Sequence, residues 1–344
     1  MNRNLKCRGV CGIVAALALT GCASLPPWHD LLSTSKPFVP ANQFALHGSR
    51  EAVGQVQTVI AQDEDTLPAL ARRYDLGYDE IVGANPGVDI WLPGKGARIV
   101  LPTRFVLPDA PREGIVINVA ARRLFYFPAN DSDVVITYPV GIGRDEWSTP
   151  LGAATITEKV IDPAWYPPAS IRREYRDNGE PLPAIVEPGP DNPLGRHALI
   201  LSLDGYLIHG TNKPAGVGMQ VSHGCIRLYP EDIAAIFSGM PIGTPVRIVD
   251  QPVLAGWEGK DLYLQAYAMP DEEKLSETTR QVVTAALQRR AIEPDRFRID
   301  WARAEQTRGP RRGIPVALTR NGLNLKTLLR PAVLVTTEPV EASE

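Results

Sequence analysis

The segment Ser222-His223-Gly224-Cys225-Ile226-Arg227-Leu228 holds the one sulfhydryl left to the chain once its first 22 residues are set apart. Sixteen residues upstream of the cysteine, the run Gly205-Tyr206-Leu207-Ile208 leads into His209-Gly210. A lone thiol beside glycine, with a histidine at the end of a preceding strand, is the pattern of a cysteine nucleophile and its general base. A thiol at its ordinary pKa of about 8.5 is mostly protonated near neutrality, so such a cysteine must be helped toward thiolate. His209 is the natural helper: a strand fixes its position, and the chain would fold Cys225 back against it. The Gly210 carbonyl would accept the other imidazole N–H and orient the ring, as the third member of a triad does. Gly224, without a Cβ, permits a tight turn whose amide N–H groups converge on the oxyanion of a tetrahedral intermediate.

Other readings of the same residues stand beside this one. His223 competes with His209 as the base, although a nucleophile and its base normally converge from separate elements. Ser222, His223 and Arg227 read as supporting residues, with Arg227 offered either to a substrate carboxylate or to a neighbouring Asp or Glu. Cys225 as a small buried hydrophobe is the blandest alternative. A zinc site built from His209, His223 and Cys225 is the chemical rival. It has no His-Glu-x-x-His or Cys-x-x-Cys pair behind it, and His223 with Cys225 is a poor chelating pair. No metal and no cofactor are called for.

The elements that must hold these residues are mostly strands. From Gly114 to Val249 the candidates are Gly114–Val119, Arg123–Phe127, Val134–Val140, Ala154–Thr157, Leu199–Ser202, Tyr206–Ile208 and Pro245–Val249, with one short helix from Pro230 to Phe237. Residues 162–197 are rich in Pro, Gly and charge and show no period, which in a segment of that length points to a lid or substrate-facing loop. Ahead of this domain, residues 55–103 read as strand, helix, helix, strand, with Asp65-Thr66 capping the first helix and Asn85-Pro86-Gly87 closing the second. Behind it, residues 251–344 read as an α+β extension: a strand at 262–267, a helix over 271–291, and Trp301 and Arg311-Arg312 beyond.

The N-terminus predicts export. Arg3, Lys6 and Arg8 precede an apolar stretch from Gly9 to Thr20, too short to span a bilayer and of the length of a signal-peptide core. Leu19-Thr20-Gly21-Cys22 resembles a bacterial lipobox, which makes 1–21 the leader, Cys22 the lipidated residue and 22–54 a tether. Cys7 and Cys11 then leave with the leader, and an unpaired Cys225 in an oxidising compartment is a liability unless it does chemistry or is buried. The formal net charge is −3, and removing the three basic leader residues leaves −6, a mildly acidic body that argues against a nucleic-acid partner.

Together, His209-Gly210, the Ser222–Arg227 box, and Val140-Gly141-Ile142-Gly143 followed by Thr149-Pro150-Leu151-Gly152 resemble the YkuD-type L,D-transpeptidase catalytic domain. The preceding βααβ pattern resembles a LysM module, with Glu64 where that family usually has glycine. The Gly189-Pro190-Asp191-Asn192-Pro193 loop and the run from Pro111 to Asn118 are similar to the ErfK/YbiS/YcfS/YnhG group, in which Arg is common at position 227 although many other family members have Asn there. The resemblance implies a mainly β, sandwich-like catalytic domain over 112–250. It implies a thioester between Cys225 and the third residue of a peptidoglycan stem peptide, with release of the terminal D-Ala. The acyl group then passes to an amine: another stem (a 3→3 cross-link) or a lysine of an outer-membrane lipoprotein. Implied partners are stem peptides, glycan and a membrane reached through the lipid anchor, all in the periplasm. A wall-binding lipoprotein without catalysis, and a thiol peptidase that trims stems, remain the alternatives.

Overall fold

A computed structural model describes residues 42–46, 48, 50–267, 271–292, 298–307, 313–319 and 333–334. The leader, Cys22, the tether up to residue 41 and Arg311-Arg312 lie outside the described residues.

The N-terminal elements are β1 (Gln43–Ala45), β2 (Ala52–Gly54), β3 (Gln57–Ile60), α1 (Leu67–Arg73), α2 (Tyr78–Ala84), β4 (Arg98–Leu101) and β5 (Arg104–Val106). Thr66 starts α1, its hydroxyl accepting the Ala69 N–H at 3.1 Å. Leu67, Leu70 and Ala71 recur at helical spacing and are fully buried against β3 and β4, which pair antiparallel. Asn85 explains its own place at the end of α2. Its buried amide donates to the carbonyls of Ile81 and Val100 at 2.8 Å each and accepts the Val100 N–H at 2.7 Å, tying the helix to β4.

The second half comprises β6 (Gly114–Asn118), β7 (Arg123–Phe127), β8 (Val134–Pro139), β9 (Ile142–Gly143), β10 (Gly152–Ile161), α3 (Ala169–Asp177), β11 (His197–Leu201), β12 (Leu207–His209), β13 (Gln220–Ser222), β14 (Ile226–Arg227), α4 (Pro230–Phe237) and β15 (Pro245–Val249). Nine strands form one sheet, in the order β1-β8-β7-β6-β15-β10-β11-β12-β14. Its corner is β10. The first residues of that strand pair with β15, those from Ile156 onward pair with β11, and a register irregularity falls between Ile156 and Glu158. A bulge of this kind bends a strand and increases its twist. The sheet curls, and Ile115 and Leu124 from one end share a core with Leu199, Ile208 and Ile226 from the other. The segment read as aperiodic, 162–197, contains the helix α3, whose one buried side chain is Ile171.

The two halves are fastened by charge and by backbone. Arg123, with no exposed side-chain surface, forks onto Glu80 through two 2.7 Å bonds and donates to the Asp75 carbonyl at 2.8 Å. Tyr229 Oη donates to the Leu76 carbonyl at 3.1 Å, and the Tyr78 N–H donates to Val217 at 3.1 Å. At Gly218, with φ +81, a Cβ would lie 2.2 Å from Gly77 Cα, so the main chains meet where no side chain fits.

The extension adds β16 (Val253–Glu258), β17 (Asp261–Ala266), α5 (Glu272–Arg289), α6 (Trp301–Gln306) and β18 (Val316–Ala317). The three strands form a sheet in the order β16-β17-β18, and buried Trp257 donates its indole N–H to the Ala286 carbonyl of α5 at 2.9 Å. A last strand, β19 (Val333–Leu334), pairs in parallel with β3. Among the described residues no helix is long and apolar enough to cross a membrane.

Candidate active site

β12 and β14 lie side by side and parallel, with Ile208 opposite Ile226 and His209 opposite Arg227. Alternation along a strand sends Ile208 and Ile226 into the core, where both are fully buried, and sends His209 and Arg227 to the other face. Cys225 immediately precedes β14. The sixteen-residue gap between histidine and cysteine is therefore a crossover that returns the chain beside itself.

The turn that presents Cys225 is held from both sides. Ser222 Oγ donates to the Cys225 carbonyl at 2.7 Å and accepts the Gly224 N–H at 3.2 Å. Thr149 Oγ1 donates to the Gly224 carbonyl at 2.8 Å and accepts the Gly143 N–H at 3.0 Å. Gly224 adopts φ +104, and a Cβ there would meet Tyr206 Cε1 at 2.9 Å. These contacts correct one expectation: the Gly224 N–H, assigned to the oxyanion, is already given to Ser222, because the turn folds the hydroxyl back onto it. They also give the Thr149-Pro150-Leu151-Gly152 motif a physical role, as a hydroxyl bridge between the Gly143 and Gly224 backbones.

His209 is buried, and its Nδ1 lies 2.6 Å from the Gly210 carbonyl. A carbonyl only accepts, so Nδ1 carries a proton. The Leu194 carbonyl also hydrogen-bonds the ring. That carbonyl is placed by Asn192, whose buried amide donates to Pro163 at 2.9 Å, to Val186 at 3.1 Å and to Glu187 at 3.2 Å, and accepts the Leu194 N–H at 2.9 Å. Asn192 is thus a staple of the loop roofing His209, in the Gly189–Pro193 motif, and sequence reasoning gave it no role.

The half-buried thiol hydrogen-bonds the Gly205 carbonyl at 3.7 Å and the Leu207 backbone. Among the described residues no hydrogen bond joins it to the imidazole. Burial pushes the Cys225 thiol up, against the Leu207 backbone and the charge of Arg227. Burial, with Arg227 adding to it, pushes His209 down to about 4, against the Gly210 and Leu194 carbonyls. Both shifts favour the same resting state, a neutral thiol and a neutral imidazole, and not a thiolate–imidazolium pair.

His223 faces elsewhere. Its Nε2 lies 3.1 Å from Glu174 Oε2 on α3, and Trp147 packs edge-on against its ring at 5.4 Å. Arg227 has no ion-pair partner among the described residues, and its Nε is buried without a hydrogen bond. Among the described residues no cluster of three or more His, Cys, Asp or Glu is arranged to hold a metal.

The L,D-transpeptidase catalytic domain family, YkuD, matches residues 112–248. Probable L,D-transpeptidase YcfS of Escherichia coli (strain K12) is 36% identical over 318 residues, covering 91% of this chain and 95% of that one. The chain belongs to the L,D-transpeptidase family. Its function is that of an L,D-transpeptidase. Probable L,D-transpeptidase ErfK/SrfK of Salmonella typhimurium is 44% identical over 228 residues, 65% of this chain and 71% of that one. Probable L,D-transpeptidase YbiS of Escherichia coli (strain K12) is 45% identical over 214 residues, 61% and 69% of the two chains. The NMR structure of the catalytic domain from the E. faecium L,D-transpeptidase aligns over 41% of this chain and 99% of that one at 19% identity, with a TM-score of 0.32. The assignment rests on the sequence relatives.

Proposed function

We propose that this L,D-transpeptidase works on peptidoglycan stem peptides through Cys225, with His209 as its base and acid. The observation that carries the reading is the shared face of β12 and β14. That pairing brings the strand ending in His209 against the strand that Cys225 immediately precedes, and the Gly210 carbonyl accepts from Nδ1 of the ring.

Because both groups rest neutral, the proton must leave the thiol as the sulfur attacks. Nε2 of His209 accepts it, and Gly210 holds the ring in the tautomer that can. Sulfur adds to the carbonyl carbon of the third stem residue. Backbone N–H groups of the Cys225 turn hold the oxyanion, a contribution of about 2.7–4 kcal/mol per donor in comparable sites. Collapse breaks the bond to the terminal D-Ala, whose amine leaves with the proton from His209. An acceptor amine then attacks the thioester and releases the thiol. A second stem gives a 3→3 cross-link; a lipoprotein lysine gives a protein tethered to the wall.

The remaining parts suit an enzyme that works on the wall. Trp91 and Leu92, in the loop between α2 and β4, are 61% and 76% exposed, an apolar platform on which a sugar face can lie in a LysM-like module. Lipidation at Cys22 and a periplasmic, outer-membrane-facing location complete the reading. The test is Cys225→Ala in the full chain. Muropeptide mass spectrometry should lose the new products, and intact mass should show a carbapenem adduct on the wild type alone. Retained product in Cys225→Ala sinks the mechanism, and water as the sole acceptor turns the enzyme into a peptidase.

A further inference from the structure

Glu174 stands on α3, in a segment without any catalytic motif, yet its carboxylate joins that segment to the Cys225 turn. Arg144 Nη2 donates to its Oε1 at 2.6 Å, and His223 Nε2 lies 3.1 Å from its Oε2. The next residue, Tyr175, packs 6.2 Å from the His223 ring and lies near enough to Arg144 and Arg227 to act electrostatically on both. A carboxylate therefore sits between a guanidinium and an imidazole, two residues along the chain from Cys225.

Three features of this arrangement fit an anion that comes and goes. Glu174 is partly exposed, so withdrawing it leaves little buried charge uncompensated. Arg227 is a cation with no carboxylate of its own among the described residues and a buried, unpartnered Nε. Arg172, Arg173 and Arg176 on α3 are exposed and add positive potential around Glu174. The acyl donor of the reaction proposed above is anionic beside its scissile bond. The third stem residue, meso-diaminopimelate, carries a side-chain carboxylate, and the departing D-Ala carries the terminal one. Either would find at Arg144 and His223 the charge-assisted bonds that Glu174 now makes.

We propose that Glu174 occupies, from within the chain, the subsite in which Arg144 and His223 receive a carboxylate of the acyl-donor peptide. Donor binding exchanges one carboxylate for the other and frees α3 from the cysteine turn. No covalent bond changes in this step, and Arg144 keeps a counter-charge throughout. The inference rests on the reading of Cys225 as the nucleophile.

The experiment measures kcat/KM of the full chain, as release of the leaving group by mass spectrometry. Three donors are compared: a stem tetrapeptide, the same peptide amidated on the third residue's side chain, and the same peptide amidated at the terminal D-Ala. The quantity read is the preference for the free carboxylate over each amide. Glu174→Gln, which removes the internal competitor, should raise that preference about tenfold, and Arg144→Gln should collapse it toward one. The amide that alters the wild-type value identifies the carboxylate. An active wild type whose preference neither variant moves overturns the inference, as does a Glu174→Gln that slows all three donors equally, the mark of a structural strap. An inactive wild type that also forms no carbapenem adduct overturns the Cys225 chemistry, and this inference with it.

Discussion

Acid should act on this enzyme in part through the His209 ring. Unfolded, His209 takes up its proton near 6.5; folded, it is held at about 4 by burial and by Arg227. Between those pH values the unfolded chain binds a proton that the native protein refuses, so this ring's contribution to stability is complete above pH 6.5 and drains away as pH falls toward 4. A gap from 6.5 to about 4 corresponds to about 3 kcal/mol, at 1.36 kcal/mol per unit. That is a large share of a typical net stability of about 5–15 kcal/mol. Catalysis should behave differently, because the neutral ring is the active form and stays neutral well below pH 6. The assay pairs urea unfolding at each pH from 4 to 7 with the rate of carbapenem acylation of Cys225 over the same range. His209→Gln provides the reference that removes this ring and leaves every other acid-sensitive group in place. Wild type minus variant should change by about 3 kcal/mol across the range, and the acid limb of the acylation rate should fall near pH 4. A flat difference curve, or an acid limb centred at 6 to 7, refutes the reasoning, since it would mean that the ring is solvated and ordinary.

Thr149→Val keeps the shape of the side chain and deletes the hydroxyl between Gly143 and Gly224, leaving a buried N–H and a buried carbonyl without partners. At about 1–3 kcal/mol for each orphaned group, the unfolding midpoint should fall and acylation should slow, with Thr149→Ser restoring most of both. Arg123→Leu strands Glu80 without its fork, and thermal unfolding should register a loss of about 3–5 kcal/mol. Trp91→Ala should weaken pelleting with purified sacculi while leaving carbapenem acylation at Cys225 unchanged.

What could be read in advance divides along sequence distance. The box around Cys225 and the histidine ending β12 are local patterns, and α2, α4, β7 and β15 begin and end where their periodicity and caps place them. Helix α3 escaped because its sequence, Ala169-Ser170-Ile171-Arg172-Arg173-Glu174-Tyr175-Arg176-Asp177, has almost no apolar stripe. It is held instead by bonds from Arg144 and His223, residues far from it in sequence. The Gly224 amide was misassigned for a related reason, since only the folded turn brings the Ser222 hydroxyl to it. The curl of the sheet depends on where β10 changes partner, and no property of its ten residues alone announces that.

The parallel pairing of Val333–Leu334 with Gln57 and Thr58 has a consequence for biogenesis. The edge of β3 is synthesised long before its covering strand, which lies far along the chain from it, so until then that edge is open to adventitious neighbours. Proteolytic removal of Val333-Leu334 would restore the same vulnerability in the folded molecule without altering a single reacting atom.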